Sequence, residues 1–322
     1  MSQIIVTLGT PSRLWLRHKQ QAFMMKHRAS RVPALRARSI TWMLPPESVP
    51  VGSRVFHDQR GLRGSGLWRL LRSRIRNKAS STDWWPESLR NMTFGPSFNY
   101  PVNDIVWPAS LTRLTFGRCF DKPIQGVVWP DQLEHLTFGT FFNQAIQGVA
   151  WPASLTHLTF GITFDKPIDA VVWPNSLQCL TFDTCFNQPI SGIVWPVALR
   201  RLAFGAYFNQ AIDDTEWPAS LQQMVFGARF NQLIEAVVWP ASLTHLTFGF
   251  FFNKPIEGVV WPTSLQCLTF GTCFNHPIQR VLWPPSLQRL AFGGDFNQRI
   301  DEIIWPSSIE KLVFGARFKH IV

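Results

Sequence analysis

The sequence predicts a mainly β fold, a right-handed solenoid of eleven 22-residue coils with a parallel sheet, preceded by a basic N-terminal segment that is partly helical or disordered. Trp-Pro recurs at Trp85, Trp107, Trp129, Trp151, Trp173, Trp195, Trp217, Trp239, Trp261, Trp283 and Trp305, always 22 residues apart and without an insertion. With Trp as position one, the unit reads W-P-x-S-L-x-x-L-x-F-G-x-x-F-N-x-P-I-x-x-V-V. The charge divides at the same boundary: residues 1–83 hold 16 Lys+Arg and 3 Asp+Glu, whereas 84–322 hold 15 and 17. The formal charge of +11 therefore belongs to the leader, and the repeat array is nearly neutral.

Each part of the unit has a physical reason. L-x-x-L-x-F is too short for a helix, and positions eight and ten share one face of a strand. Phe at position ten forms a candidate spine of Phe94, Phe116, Phe138, Phe160, Phe182, Phe204, Phe226, Phe248, Phe270, Phe292 and Phe314. Gly at position eleven permits a turn, and Pro at positions two and seventeen excludes a helix interior. V-V-W reads as a second extended segment, giving each coil strands on two sides. One unit cannot bury its Trp, Leu, Phe and Ile alone, but stacked units share one continuous core. Position fifteen is Asn except for Asp121, Asp165 and Lys319. Its fixed place predicts a ladder of side chains bonded to backbone groups of their own and neighbouring coils.

With those residues in view, L-T-F-G-x-x-F-N-x-P-I followed by W-P-x-S-L resembles the FNIP repeat family, a leucine-rich-repeat-like module; residues 180–196 and 246–262 carry it most fully. The resemblance covers residues 84–322 and implies a solenoid used for contact between proteins. Some family members carry an N-terminal F-box that recruits a ubiquitin ligase. Leu44-Pro45-Pro46-Glu47 echoes such a start, but no amphipathic helices of the expected apolar density follow it. Asn falls later than in the standard leucine-rich pattern and Phe replaces much of the Leu, which leaves the curvature open.

If positions eight and ten face inward, seven and nine face outward. Position seven is polar and variable, which suits a recognition surface: Arg113, His135, His157, Arg201, Gln223, His245, Arg289 and Lys311, with Cys179 and Cys267 between them. Position thirteen adds Tyr207, Arg229 and Phe251, residue types that anchor interfaces. The alternative is a solvated sheet face. His135, His157 and Cys179 lie in consecutive coils and raise the question of a metal site. The recurrence of His245, Cys267 and Cys273 adds nothing independent, because 151–194 and 239–282 are identical at 32 of 44 positions, as expected of a duplicated four-coil block. No metal, cofactor or small-molecule substrate is expected. No catalytic constellation emerges either: the glycines stand singly, and Asp213, Asp214 and Glu216 read as a solvated turn.

Residues 1–46 contain no acidic residue and are rich in Arg, as import leaders are. Residues 14–25 predict a short, ragged helix. Residues 66–78 place Leu67, Leu71 and Ile75 on one helical face among arginines, a pattern that suits a cap for the first coil, a membrane surface or an acidic partner. No aromatic residues are interleaved on a folded basic face, so a nucleic-acid partner is not expected. Five cysteines, an odd number, argue against a secreted disulfide framework, and no apolar run approaches the ~18–20 residues of a membrane span. The sequence thus predicts an intracellular, non-enzymatic scaffold that binds an unknown protein through its sheet face, with self-association possible at the uncapped last coil. The alternative is an adaptor or organelle-targeted protein addressed by its N-terminus, with an F-box-like ubiquitin-ligase adaptor ranked third.

Overall fold

The computed structural model describes residues 88–320 together with the backbone of Ile4–Thr7 and Ser39–Met43. The expected helices at 14–25 and 66–78, the Leu44–Glu47 echo and Trp85 lie outside the described residues. Among the described residues thirteen strands form one parallel sheet in strict chain order. Strands β1 (Ile4–Thr7) and β2 (Ser39–Met43) precede β3 (Asn91–Thr93). One three-residue strand per coil follows, from β4 (Arg113–Thr115) to β13 (Lys311–Val313). The sequence reading did not foresee strands in the leader, yet Ser39, Ile40 and Thr41 pair with Asn91, Met92 and Thr93.

Every strand pairing within the array links residues 22 apart, as in Leu136 with Leu158 and Leu158 with Leu180. Three tight turns complete each coil. In the coil that opens at Trp107, Leu111 N–H donates to Pro108 O, Phe120 N–H to Gly117 O and Val127 N–H to Ile124 O. The V-V-W segment alternates buried and exposed residues, as extended backbone does, but it forms no strand, so the expected second sheet is replaced by a single one. Proline at position two has no N–H with which to continue a ladder there.

The core is a set of columns. Phe at positions ten and fourteen stack within a coil at 4.0 Å (Phe138 with Phe142) and between coils at 5.6 Å (Phe138 with Phe160) and 6.1 Å (Phe142 with Phe164). Equivalent residues in successive coils measure the local step. It grows from the ~4.8 Å of paired strands to 5.9–6.4 Å between stacked tryptophans such as Trp107–Trp129 and Trp151–Trp173. The stacked rings on the flank away from the sheet are thus spaced more widely than paired strands. Nine of these tryptophans bury an indole N–H with no acceptor, so Trp serves here for its area and not for its donor. In the last coil Leu312, Phe314 and Phe318 are only partly buried.

Two sets of side-chain bonds hold the coils together. At position fifteen the Asn99 carboxamide accepts from the Asp121 backbone N–H (2.9 Å), Asp121 from Asn143 (3.0 Å), and so on to Lys319 N–H on Asn297 (3.0 Å). The expected ladder is present, but it lies at a half-exposed edge and bonds only to the following coil. Asp keeps the acceptor role, and Lys319 receives a bond without passing one on. Sequence reading missed the second set of bonds: Ser110 Oγ donates to Leu89 O at 2.7 Å, and the same bond recurs in most coils up to Ser308 on Leu287, interrupted at Gln132 and Ala198.

Glycine at position eleven has a different cause from the one expected. A Cβ on Gly139, Gly161 or Gly249 would lie 1.9 Å from the carbonyl oxygen of the residue 22 earlier, so close approach of the coils demands glycine. The exception is Asp183. Its side chain is accommodated while the step to the preceding coil, Phe160 to Phe182, stays at 5.5 Å; the step to the following coil, Phe182 to Phe204, is 6.0 Å. Left-handed backbone occurs instead at position twenty, at Gly126, Gly148 and Gly192.

Candidate functional site

The strand face is built by alternation. In β5 (His135–Thr137) and its neighbours the middle residue is buried, and the residues on either side turn outward. Because register is fixed, position seven becomes a continuous row across the array, and every one of its predicted residues lies on it. Arg113, Arg201, Gln223, His245, Arg289 and Lys311 are exposed, whereas His135, His157, Cys179 and Cys267 are half-buried. From Arg113 to Lys311 the row contains no carboxylate.

Position thirteen runs beside it. The Arg229 guanidinium lies 4.3 Å from the centre of the Tyr207 ring, so two of the predicted anchors form one cation–π pair. Sequence reading missed Arg118, which stacks at 5.0 Å on Phe141, and Phe250, which meets Phe251 edge-on at 4.8 Å. Both missed residues sit at position twelve, where the turn between Gly and Phe exposes two consecutive side chains. Phe251 is 50% exposed. Arg289 and Lys311 line an open depression with Cys267 and Val313 near the last coil.

His135 and His157 stack with ring centres 4.2 Å apart, and Thr156 Oγ1 lies 2.8 Å from His157 Nδ1. Burial lowers both imidazole pKa values; the His157 charge lowers that of His135 further, and Arg113 adds to both shifts. Burial likewise raises the thiols of Cys179, Cys267 and Cys273, which makes them weak nucleophiles and weak ligands. Among the described residues no three His, Cys, Asp or Glu side chains are placed to hold a metal ion. Asp213 and Asp214 are exposed on a turn, and Glu216 is exposed just after it.

The depressed histidines predict a pH dependence. As pH falls, the unfolded chain takes up protons before the folded one, so the stability they contribute is complete above about 6.5 and declines below it. The urea midpoint should drop between pH 7 and pH 5, and His157→Gln should shrink that drop. An equal drop in both proteins would remove the stacked pair as its cause.

Comparison with known proteins agrees with this geometry. A family model described as FNIP Repeat matches residues 77–119, 106–141, 142–185, 208–251, 252–295 and 274–317, more than half of the chain. No curated protein matches in sequence. The solved structure of CroV588, described as a novel circular LRR protein, is 43% identical over 73% of this chain, with a TM-score of 0.62. The match spans 38% of that longer chain. An internalin (inlF) from Listeria monocytogenes is 11% identical over 73% of this chain and 75% of its own, with a TM-score of 0.47. Among the described residues no helix is long and apolar enough to cross a membrane.

Proposed function

Because the chain belongs to the FNIP repeat family, we propose that it is a non-enzymatic scaffold that holds a protein partner along its strand face. The single observation that carries this reading is the row at position seven, where a repeated frame presents six different polar residue types over eleven coils. A surface that varies on a fixed frame is what recognition requires of a repeat protein. An inner-rim position for this row is supported by the circular form described for the CroV588 structure, 43% identical over 73% of this chain.

The chemistry of the row describes the partner. Arg113, Arg201, Arg289 and Lys311 supply permanent positive charge with no carboxylate between them, so complementarity favours an acidic surface. The Arg229–Tyr207 pair is a rigid, amphipathic anchor near the middle of the array. Replacing Arg201, Tyr207 and Arg229 together with alanine in the full chain should abolish partner capture in a pull-down. The circular dichroism and urea midpoint should hardly change, because these side chains lie outside the core. Capture that survives the triple replacement refutes the strand face as the site.

A further inference from the structure

Position nine of the strand face is threonine in seven of the eleven coils, and its exceptions fall in two matched pairs. Ala203 in β8 (Arg201–Ala203) is the registered partner of Val225 in β9 (Gln223–Val225). Ala291 in β12 (Arg289–Ala291) is likewise the partner of Val313 in β13. Each pair is a short apolar step on a face otherwise covered by hydroxyls, and alanine leaves a dip where threonine would stand. At the second pair the dip is an open depression of about 300 Å³, lined by Cys267, Thr269, Arg289, Ala291, Lys311 and Val313. That volume is at the lower limit of ligand pockets, and it suits one or two side chains better than a small molecule. The first pair has the same registered neighbours, except that Gln223 replaces Lys311.

Cations frame both dips. Arg201 and Arg289 are exposed at position seven, directly beside Gln223 and Lys311. At position thirteen Arg229 stacks on Tyr207 at the first dip, whereas Arg317 lies 3.1 Å from Asp295 at the second. Arg200 adds to the charge at the first, against Asp183 of the preceding coil, and Glu310 offsets that of Lys311 at the second. The first dip is therefore the more cationic. The two lie 88 residues apart, four coils of 22, as copies within the duplicated block. Their recurrence is inherited, but it leaves two equivalent seats on one frame.

The distance between the seats describes what can fill both. Four strand steps separate β8 from β12, about 19 Å at ~4.8 Å each. An extended peptide advances roughly 3.3 Å per residue, so six residues cover about 20 Å. Six is an even number, and side chains that far apart on an extended chain point to the same side. A helix needs about thirteen residues for the same span, or roughly 3.6 turns, which leaves its second group facing away.

We infer that the strand face takes an extended acidic segment of its protein partner in two seats, six residues apart along that segment. An aliphatic side chain enters each dip, and a carboxylate beside it meets Arg201 or Arg289. This rests on the scaffold reading above and gives the partner its form. Two weak seats on one frame act as a stronger site, because a short link holds the second motif at high effective concentration.

Fluorescence anisotropy with the full chain tests the inference. The probe is a twelve-residue peptide with Leu-Ser-Asp at its third to fifth residues and again at its ninth to eleventh, the rest serine and glycine. One comparison peptide keeps a single motif. In another the second motif is moved by one residue, which turns it to the opposite side. The probe should bind at least tenfold more tightly than either. Ala203→Thr with Val225→Thr gives the first seat the residue that seven coils already hold there, and Ala291→Thr with Val313→Thr does the same for the second. Neither change threatens the fold. Each should reduce the probe to single-motif affinity, with the lower value when the first, more cationic seat is closed. Equal binding of the three peptides overturns the inference, and so does a tenfold gain that survives both variants or a probe that fails to bind at about 1 mM. The alanine replacement of Arg201, Tyr207 and Arg229 reports separately on the scaffold reading. If it abolishes partner capture while the peptides bind alike, the strand face stands and the two seats fall. If capture survives it as well, both fall.

Discussion

Gly249→Ala should destabilise the solenoid by about 3 kcal/mol or more, at the upper end of what overpacking costs. The added Cβ would sit 1.9 Å from the Gly227 carbonyl oxygen and 2.3 Å from its carbon. Neither is the tip of a flexible side chain, so the two backbones must separate. Separation at this point also strains the strand pairing of His245, Leu246 and Thr247 with Gln223, Met224 and Val225. Gly148→Ala is the comparison. Its backbone is left-handed (φ +71) but no atom lies within 4 Å of an added Cβ, so it should cost about 1–2 kcal/mol. Urea denaturation of both variants measures the difference. If Gly249→Ala proves no worse than Gly148→Ala, close approach is not what position eleven requires.

Phe182→Ala should cost about 3–5 kcal/mol. The ring is 2% exposed and touches four others, Phe186 at 4.0 Å, Phe160 at 5.5 Å, Phe204 at 6.0 Å and Phe164 at 6.2 Å. The gap cannot close by collapse, since the position-fifteen bonds on either side, and Ser176 towards the preceding coil, hold the coil spacing. Truncation should also weaken the coupling between the coils before and after it. A shallower urea transition would register that loss of cooperativity. A near-zero change in the urea midpoint would refute the column as the source of stability.

Much of this molecule can be read from one unit of its sequence, because 22-residue spacing converts every fixed position into a column. Alternation placed Leu and Phe inside and position seven outside, and the Asn column announced its ladder. Three features escaped for physical reasons. The Ser bonds were hidden because a small hydroxyl near a proline turn also suits a solvated loop. Glycine at position eleven was read through its backbone freedom, although its cause is a contact with a residue 22 positions away. The exposed aliphatics before each Trp were read only as part of an extended V-V-W segment, with no face assigned to them. Yet the same alternation that buries Val171 and Trp173 must turn Val172 outward. The cation–π pairs of the strand face join adjacent coils, so no single unit could reveal them.

The strand pairings of the array all join residues 22 apart, in a chain of 322. Expressed as relative contact order this is about 0.07, a value shared with helical bundles and far below that of other all-β proteins. An all-β chain with so short a reach need not wait for distant segments to meet. Any coil that has formed can serve as the template on which the next one closes. Folding is then growth from a seed, and its rate should depend on the best-formed pair of coils and hardly at all on how many follow.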